Sequence, residues 1–349
     1  MSVYLDHNAT TAVDREVLEA MLPYFAESFG NASSIHSSGQ RARAAVDRAR
    51  ESVAEMIGAK AGEIVFTGGG TEADNLAIFG VVAASERAKK HVITTQIEHH
   101  AVLHSCEALK RQGVEVSNLP VNRAGLVDPA EVQRAIRPET ILITVMHANN
   151  EIGTVQPIEE IAQIARDAEI YFHTDAVQSA GKLPVDVNRL GVDLLSISAH
   201  KIYGPKGSGA LYVRAGTPLE PHMRGGHHER DRRAGTENVP GIVGLGIAAQ
   251  IARRSLAIDS QRIAELRDRF EKGLLQSIAN ACVNGSIEHR VPNTSNITFS
   301  FAGGESMVIA LDLKGVICST GAACSSGAIE PSHVLMAIGL SPEEARTSL

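Results

Sequence analysis

A chain of 349 residues is long enough to bury a large core and to divide into two domains, and 44% apolar residues with moderate Gly and Pro is an ordinary globular composition. The net charge of −7 argues against nucleic acid as the main partner, since a phosphate-binding surface needs a basic excess, and the absence of Trp argues against a base-stacking platform. No apolar run reaches membrane-spanning length, "MSVYLDHNATTAVD" lacks the pattern of a secretion signal, and Cys106, Cys282, Cys318 and Cys324 show neither metal spacing nor a disulfide framework, so the expectation is a cytoplasmic protein with free thiols and no membrane partner.

In chain order, β-branched runs predict strands at 63–67, 91–95, 114–119, 140–146, 170–176, 193–198 and 209–213. Amphipathic patterns between them predict helices at 71–88, 99–111, 128–136 and 157–168. This alternation predicts an α/β fold: a mainly parallel sheet covered on both faces, with ligands at the carboxyl ends of its strands. A long helical stretch, 241–280, breaks the pattern. Strand-like 294–301 and 314–320 and a helix at 330–339 then read as a smaller α+β domain. The expected division gives a large domain over 14–255, with 1–13 and 256–349 forming the smaller one.

Several strand ends carry polar residues with chemical meaning. "FTGGGTEADNLAI" (66–78) passes from a strand through three glycines into a helix, which suits an anion held by unpaired N–H groups at Gly70 and by Thr71; a plain strand-to-helix turn fits the segment equally well. "TQIEHHAVLH" (95–104) places His99 or His100 to stack on a flat ring and move protons. In "MHANNEIGTVQPI" (146–158), one asparagine reads as a turn residue and the other as a polar ligand. "IYFHTDAVQSAGK" (170–182) ends a buried-looking strand in Asp175, a costly carboxylate unless a cation or donor meets it, with Gln178 three residues on.

"SISAHKIYGPKG" (196–207) sets Lys201 beside Ser198 and His200, the arrangement for a Schiff-base lysine next to phosphate contacts. An anion loop, a buried acid and a lysine, each ending a strand of one sheet, are the minimum set for pyridoxal 5'-phosphate (PLP). The polar loop 225–241 reads as solvated or as meeting another subunit, with Thr236 poised for a phosphate. "CSTGAACSSGAIEPSHV" (318–334) reads as a mobile small-residue loop with Cys324 as a candidate nucleophile, while Cys318 reads as buried and structural.

Taken in order, "YLDHNATT", "FGNASSIH", "FTGGGTEADNLAI", "EHHAV", "HANNEIGTVQPI", "HTDAVQSAGK", "SAHKIYGPKG", "RRAGTEN" and "STGAACSSG…EPSHVL" resemble the motifs of the cysteine desulfurases of the NifS/IscS type, long-loop group, in the PLP-dependent class V aminotransferase family. The resemblance implies an aspartate-aminotransferase-like PLP fold (type I), a homodimer, and conversion of L-cysteine to L-alanine with sulfur carried as a persulfide on Cys324. It implies Lys201 as the Schiff-base residue, Asp175 at the pyridine nitrogen and His99 over the ring. Asn150 and Gln178 would serve the ring hydroxyl. Gly70, Thr71, Ser198 and His200 would hold the phosphate, with Thr236 arriving from the partner subunit. A sulfur-acceptor or scaffold protein for iron–sulfur cluster assembly is the implied partner, and Cys324 an implied transient cluster ligand. One departure stands out: the family's arginine for the substrate carboxylate would align just after Leu349. The alternatives it leaves are a weakly active PLP-binding form, a selenocysteine lyase, and an ordinary aminotransferase, which has no use for a loop cysteine.

Overall fold

The computed structural model describes residues 2–300, 303–320 and 330–349, so Cys324 lies outside the described residues. In chain order the elements are β1 (Val3–Tyr4), α1 (Arg15–Met21), α2 (Pro23–Ala26), α3 (Ser37–Met56), β2 (Ile64–Thr67), α4 (Gly70–Ala84), β3 (His91–Thr95), α5 (His100–Arg111), β4 (Glu115–Leu119), α6 (Pro129–Ala135), β5 (Thr140–Thr144), α7 (Ile158–Asp167), β6 (Tyr171–Asp175), α8 (Val187–Leu190), β7 (Leu194–Ser198) and β8 (Gly209–Val213). There follow α9 (Val239–Ser277), β9 (Ala281–Val283), β10 (Ile297–Phe299), α10 (Gly304–Leu313), β11 (Val316–Ile317), α11 (His333–Ala337) and α12 (Pro342–Arg346).

Strands β2 to β8 form one sheet in the order β2-β8-β7-β6-β5-β3-β4, in which only β8 runs against its neighbours. Its central strands are buried along their whole length, as strands covered on both faces must be. Successive residues feed opposite layers: Leu142 and Leu194 join the α4–α5 side, while Ile143 and Leu195 join the side packed by α3, α7 and the first half of α9. All seven predicted strands of this sheet form, within a residue or two of their expected limits.

Helix α3 is the large element that periodicity did not predict. Its buried stripe is Ala42, Ala45, Val46, Ala49 and Val53, a helical spacing built mainly of alanine and therefore faint in hydropathy. Small residues are required there because α9 lies very close: a Cβ on Gly246 would stand 2.7 Å from the Ala49 Cβ. Contrary to expectation, one helix, α9, is long and apolar enough to cross a membrane by length and composition, but half of its most apolar stretch is buried inside the protein. It runs unbroken through residue 255. Beyond it, β9 and β10 pair antiparallel, and β11 pairs in parallel with β1 at the other end of the chain. A third apolar cluster joins Val334, Leu335 and Ile338 of the carboxyl-terminal helices to Ile97, Met146 and Ile152 at the strand ends of the large sheet.

The loop at 225–241 is held far more firmly than its charge suggests. Glu229 is 8% exposed and meets Arg50, 4% exposed, through two hydrogen bonds of 2.7 Å; it also accepts from the Phe66 N–H at 2.9 Å. The Arg50 guanidinium lies 4.6 Å over the Phe66 ring. Arg43–Glu237 and Arg233–Glu72 add two further pairs. These anchors hold Glu229, Arg230 and Asp231 at φ of 47°, 57° and 64°, a left-handed turn that L-residues resist. Solvation thus describes the exposed residues of this segment, such as Gly226, Arg230 and Thr236, but not its buried and paired Glu229 and Glu237. Cys318 is likewise half-buried just past β11, not a core residue, because β11 lies in a two-stranded sheet with little covering it.

Arg50→Met strands a buried carboxylate, so the unfolding free energy should fall by about 3 kcal/mol or more. Urea denaturation checks this, and a loss under about 1 kcal/mol would place the pair in the weak class of exposed ion pairs.

Candidate active site

The site grows from strand ends. After β2 the chain turns through Gly68 and Gly69, whose φ of +149° is open essentially only to glycine. A Cβ on Gly209, at the start of β8, would come within 2.7 Å of Gly69, so the turn also needs glycine beneath it. Helix α4 then starts at Gly70 with no side chain capping it, which leaves its first N–H groups unpaired along the helix. These groups border a cavity of about 700 Å³ lined by Gly68, Gly69, Gly70, Thr71, Ser198 and His200, together with Ala9, Thr10, Asn75, Lys206 and His222. Four predicted anion ligands, Gly70, Thr71, Ser198 and His200, are therefore brought together. A Cβ on Gly70 would stand 2.7 Å from the Val177 side chain, so the cradle has no room for a larger residue. Lys206 was legible as a cation in the Gly/Pro loop after β7. His222, stacked on Phe79 at 5.0 Å, had no sequence signal.

Lys201 ends a single helical turn after β7. Its Nζ donates to the carbonyls of Asn8 and, at 2.8 Å, of Ala9. Asn8 thereby enters the site from the amino-terminal segment, a role that no feature of "DHNATT" betrayed. Its carbonyl also accepts from Gln178 Nε2 at 3.0 Å, and its side chain reaches the Asn150 carbonyl and Thr294. Asn149 is the turn residue of its pair, accepting from the N–H groups of Glu151 and Ile152, while Asn150 is half-exposed beside Asn8. Thr10 meets His200 Nδ1 at 3.1 Å. Burial, and then the charges of Lys201, Lys206 and Lys182, push the His200 imidazole down to about 4, so the ring is neutral at ordinary pH.

Asp175 ends β6 with 5% exposure and accepts from the Val177 N–H at 2.8 Å. Burial pushes its carboxyl up to about 6, against the Val177 hydrogen bond and the Lys201 charge. Asp74 of α4 lies in the same buried patch and is raised well above the carboxylate range, chiefly by burial and then by Asp175. Glu98, bonded to Thr95 and the Met146 N–H, is pushed up to about 8 by burial. His173, between Thr144 and Ser196, is driven down to about 3 by burial and brings no charge.

His99 caps α5, its Nδ1 accepting from the Ala101 N–H at 3.1 Å. Nδ1 is thus the acceptor, and the proton of the neutral ring sits on Nε2. Its imidazole falls to about 4, first through burial and then through Lys201, His100, His333 and His104. The rings of His104 and His333 lie 4.9 and 4.8 Å from His100. No group of three or more His, Cys, Asp or Glu among the described residues is arranged to hold a metal ion.

Of the other predicted residues, Lys201, Asp175, His99, Asn150 and Gln178 are not among those lining this cavity; His99 and Asp175 lie within reach of the Lys201 charge, and Gln178 and Asn150 meet Asn8. Thr236 is exposed on the pinned loop, and Cys324 lies outside the described residues. The flanks of the Cys324 segment are anchored beside the site: Ser319 donates to Asp6 at 2.6 Å, and Ser332 donates to Glu151.

These residues fit PLP. A flat group with an anionic tail and a basic ring nitrogen matches an uncapped helix start, a side-chain-free cradle, a buried carboxylate that needs a cation, and an amine held beside both. In the cofactor-free protein, His99 should stay neutral down to about pH 5 and titrate near 4 by imidazole NMR. A midpoint near the unperturbed 6.5 would put the ring in water.

Comparison with known proteins agrees with this geometry. The model of the aminotransferase class-V family matches residues 3–349. The cysteine desulfurase IscS of Dictyoglomus turgidum is 52% identical over 347 residues, 99% of this chain and 88% of the relative. That of Methanosarcina thermophila is 52% identical over 100% of this chain and 86% of the relative. Among solved structures, a NifS-like protein superposes with a TM-score of 0.93 at 37% identity, covering 100% of this chain and 92% of that one. SspA, solved in complex with cysteine, gives 0.88 at 41% identity over 100% and 97%. The chain belongs to the class-V aminotransferase family, within its cysteine desulfurases of the NifS/IscS type.

Proposed function

We propose that this protein is a PLP-dependent cysteine desulfurase that takes L-cysteine, releases L-alanine and passes the sulfur to Cys324 as a persulfide. The observation that carries this reading is the meeting of Lys201, buried Asp175 and the uncapped start of α4 at the strand ends of one sheet, in a chain 52% identical over its length to IscS relatives. PLP supplies an electron sink for negative charge developing at the substrate Cα.

The protein's own residues do the rest. Lys201 Nζ is the amine that holds and releases the cofactor; when free, it rests on the Asn8 and Ala9 carbonyls. Asp175, ionised, would hold a positive charge on the cofactor's ring nitrogen. Thr71, Ser198, His200 and the N–H groups at Gly70 would hold the phosphate, while Asn150 and Gln178 would serve the ring oxygen. His99 would carry its transferable proton on Nε2.

The working form is a homodimer in which Thr236 reaches the neighbouring phosphate. Supporting this, Leu22, Phe25, Phe29 and Ile35 are 55%, 62%, 73% and 92% exposed along one stretch, an apolar surface larger than isolated residues explain. A sulfur-acceptor or scaffold protein for iron–sulfur cluster assembly takes the persulfide in the cytoplasm. The division near residue 255 into PLP-binding and smaller domains belongs to the same proposal.

Alanine release from L-cysteine by the PLP-loaded protein should rise with added reductant, and Cys324→Ala should lose that rise. His99→Ala should lower kcat by about 100-fold, the usual scale for a proton-transfer group. A PLP-loaded protein that makes no alanine under either condition would overturn the reading.

A further inference from the structure

We propose that Lys182 is a positioning residue that locks the side-chain amide of Gln178 with its NH2 group toward the ring oxygen of the cofactor. This rests on the reading that the site holds PLP and that Gln178 serves that oxygen. Gln178 is 5% exposed, and its two amide atoms have different partners: Nε2 donates to the Asn8 carbonyl at 3.0 Å, and Oε1 accepts from Lys182 Nζ at 2.8 Å. A carbonyl only accepts, so Asn8 turns Nε2 toward itself and leaves Oε1 to accept from Lys182, which donates as amine or ammonium; together they set one orientation of an amide that otherwise has two. The Asn8 carbonyl is shared with Lys201, whereas the hydrogen bond from Lys182 goes to Gln178. Lys182 is therefore the anchor that stays when Lys201 and the Gln178 NH2 turn to a ligand.

Lys182 is itself built into place. Gly181 takes φ +74°, and a Cβ there would stand 2.7 Å from Ile202 and 3.1 Å from Ala252 of α9. Ser260, also on α9, donates to the Lys182 carbonyl at 2.8 Å. Burial, and then the Lys201 charge, lower the Lys182 ammonium to about 7, so its placement costs energy that a merely solvated lysine would not spend. An NH2 facing the ring oxygen stabilises that oxygen as an anion. It thereby weakens the hold of the Lys201–cofactor linkage on its proton.

The test is the pH titration of the visible absorption band of the PLP-loaded protein, compared with Gln178→Leu, Lys182→Met and Lys182→Arg. Losing one hydrogen bond to the ring oxygen should raise the midpoint by about 0.5–1 unit. Gln178→Leu and Lys182→Met should both move it upward, and Lys182→Arg, still a pure donor, should restore it. If Gln178→Leu moves the midpoint while Lys182→Met does not, Lys182 does not fix the amide and the proposal fails with the PLP reading intact. The proposal also fails if Lys182→Met moves it and Lys182→Arg does not restore it, because the effect is then not donation. If Gln178→Leu leaves the midpoint unchanged, Gln178 does not serve the ring oxygen, and that part of the site reading falls too.

Discussion

A carboxylate sealed at the end of β6 is the constraint on which the rest of the site depends. Asp175 can be ionised there only beside a positive charge, since unit charges about 4 Å apart interact by about 4 kcal/mol at an effective dielectric of 20. Its surroundings are arranged so that no second negative charge competes. Burial, and then Asp175, raise the Asp74 carboxyl well above the usual range, and burial pushes Glu98 up to about 8. The basic partner lies on the side of Lys201. A buried carboxylate of this kind suits a cationic ring nitrogen, and the polar residues gather at the ends of strands whose middles are Val, Ile and Leu.

The second element of the design is the amino-terminal segment, which crosses the mouth of the site and binds both parts of the molecule. Residues 3–4 pair with β11, Asp6 accepts from Ser319, and Asn8 reaches Asn150, Thr294 and Asn293. Thr11 then accepts from the Tyr203 N–H and donates to the His200 carbonyl. One short segment thus touches the lysine turn, the asparagine turn and the carboxyl-terminal strands. It makes a turn at residues 7–9, closed by the Ala9 N–H on the Asp6 carbonyl, which leaves the Asn8 and Ala9 carbonyls to accept from Lys201 and Gln178.

How much of this was legible in the sequence follows from the kind of signal each part leaves. The large sheet was readable because buried parallel strands are dense in β-branched residues, and its lysine, acid and glycine loop each end such a strand. Helix α3 was not readable, since Ala42, Ala45 and Ala49 give a helical stripe without contrast. The pinned loop defeated a reading by polarity because Arg50 and Arg43 lie nearly two hundred positions from Glu229 and Glu237, and pairing across that separation leaves no local pattern. Asn8 and Lys182 escaped for the same reason: their roles come from what tertiary folding sets beside them, as does the raised carboxyl of Asp74.

The chain on either side of residues 321–329 is tied to the polar groups around Asn8. Ser319 and Ser332 each give a hydroxyl hydrogen bond to an acid, Asp6 and Glu151, and these acids lie next to Asn8 and Asn150, which are bonded to each other. Both ends of the segment are therefore tied to the cofactor side of the molecule rather than to its outer surface.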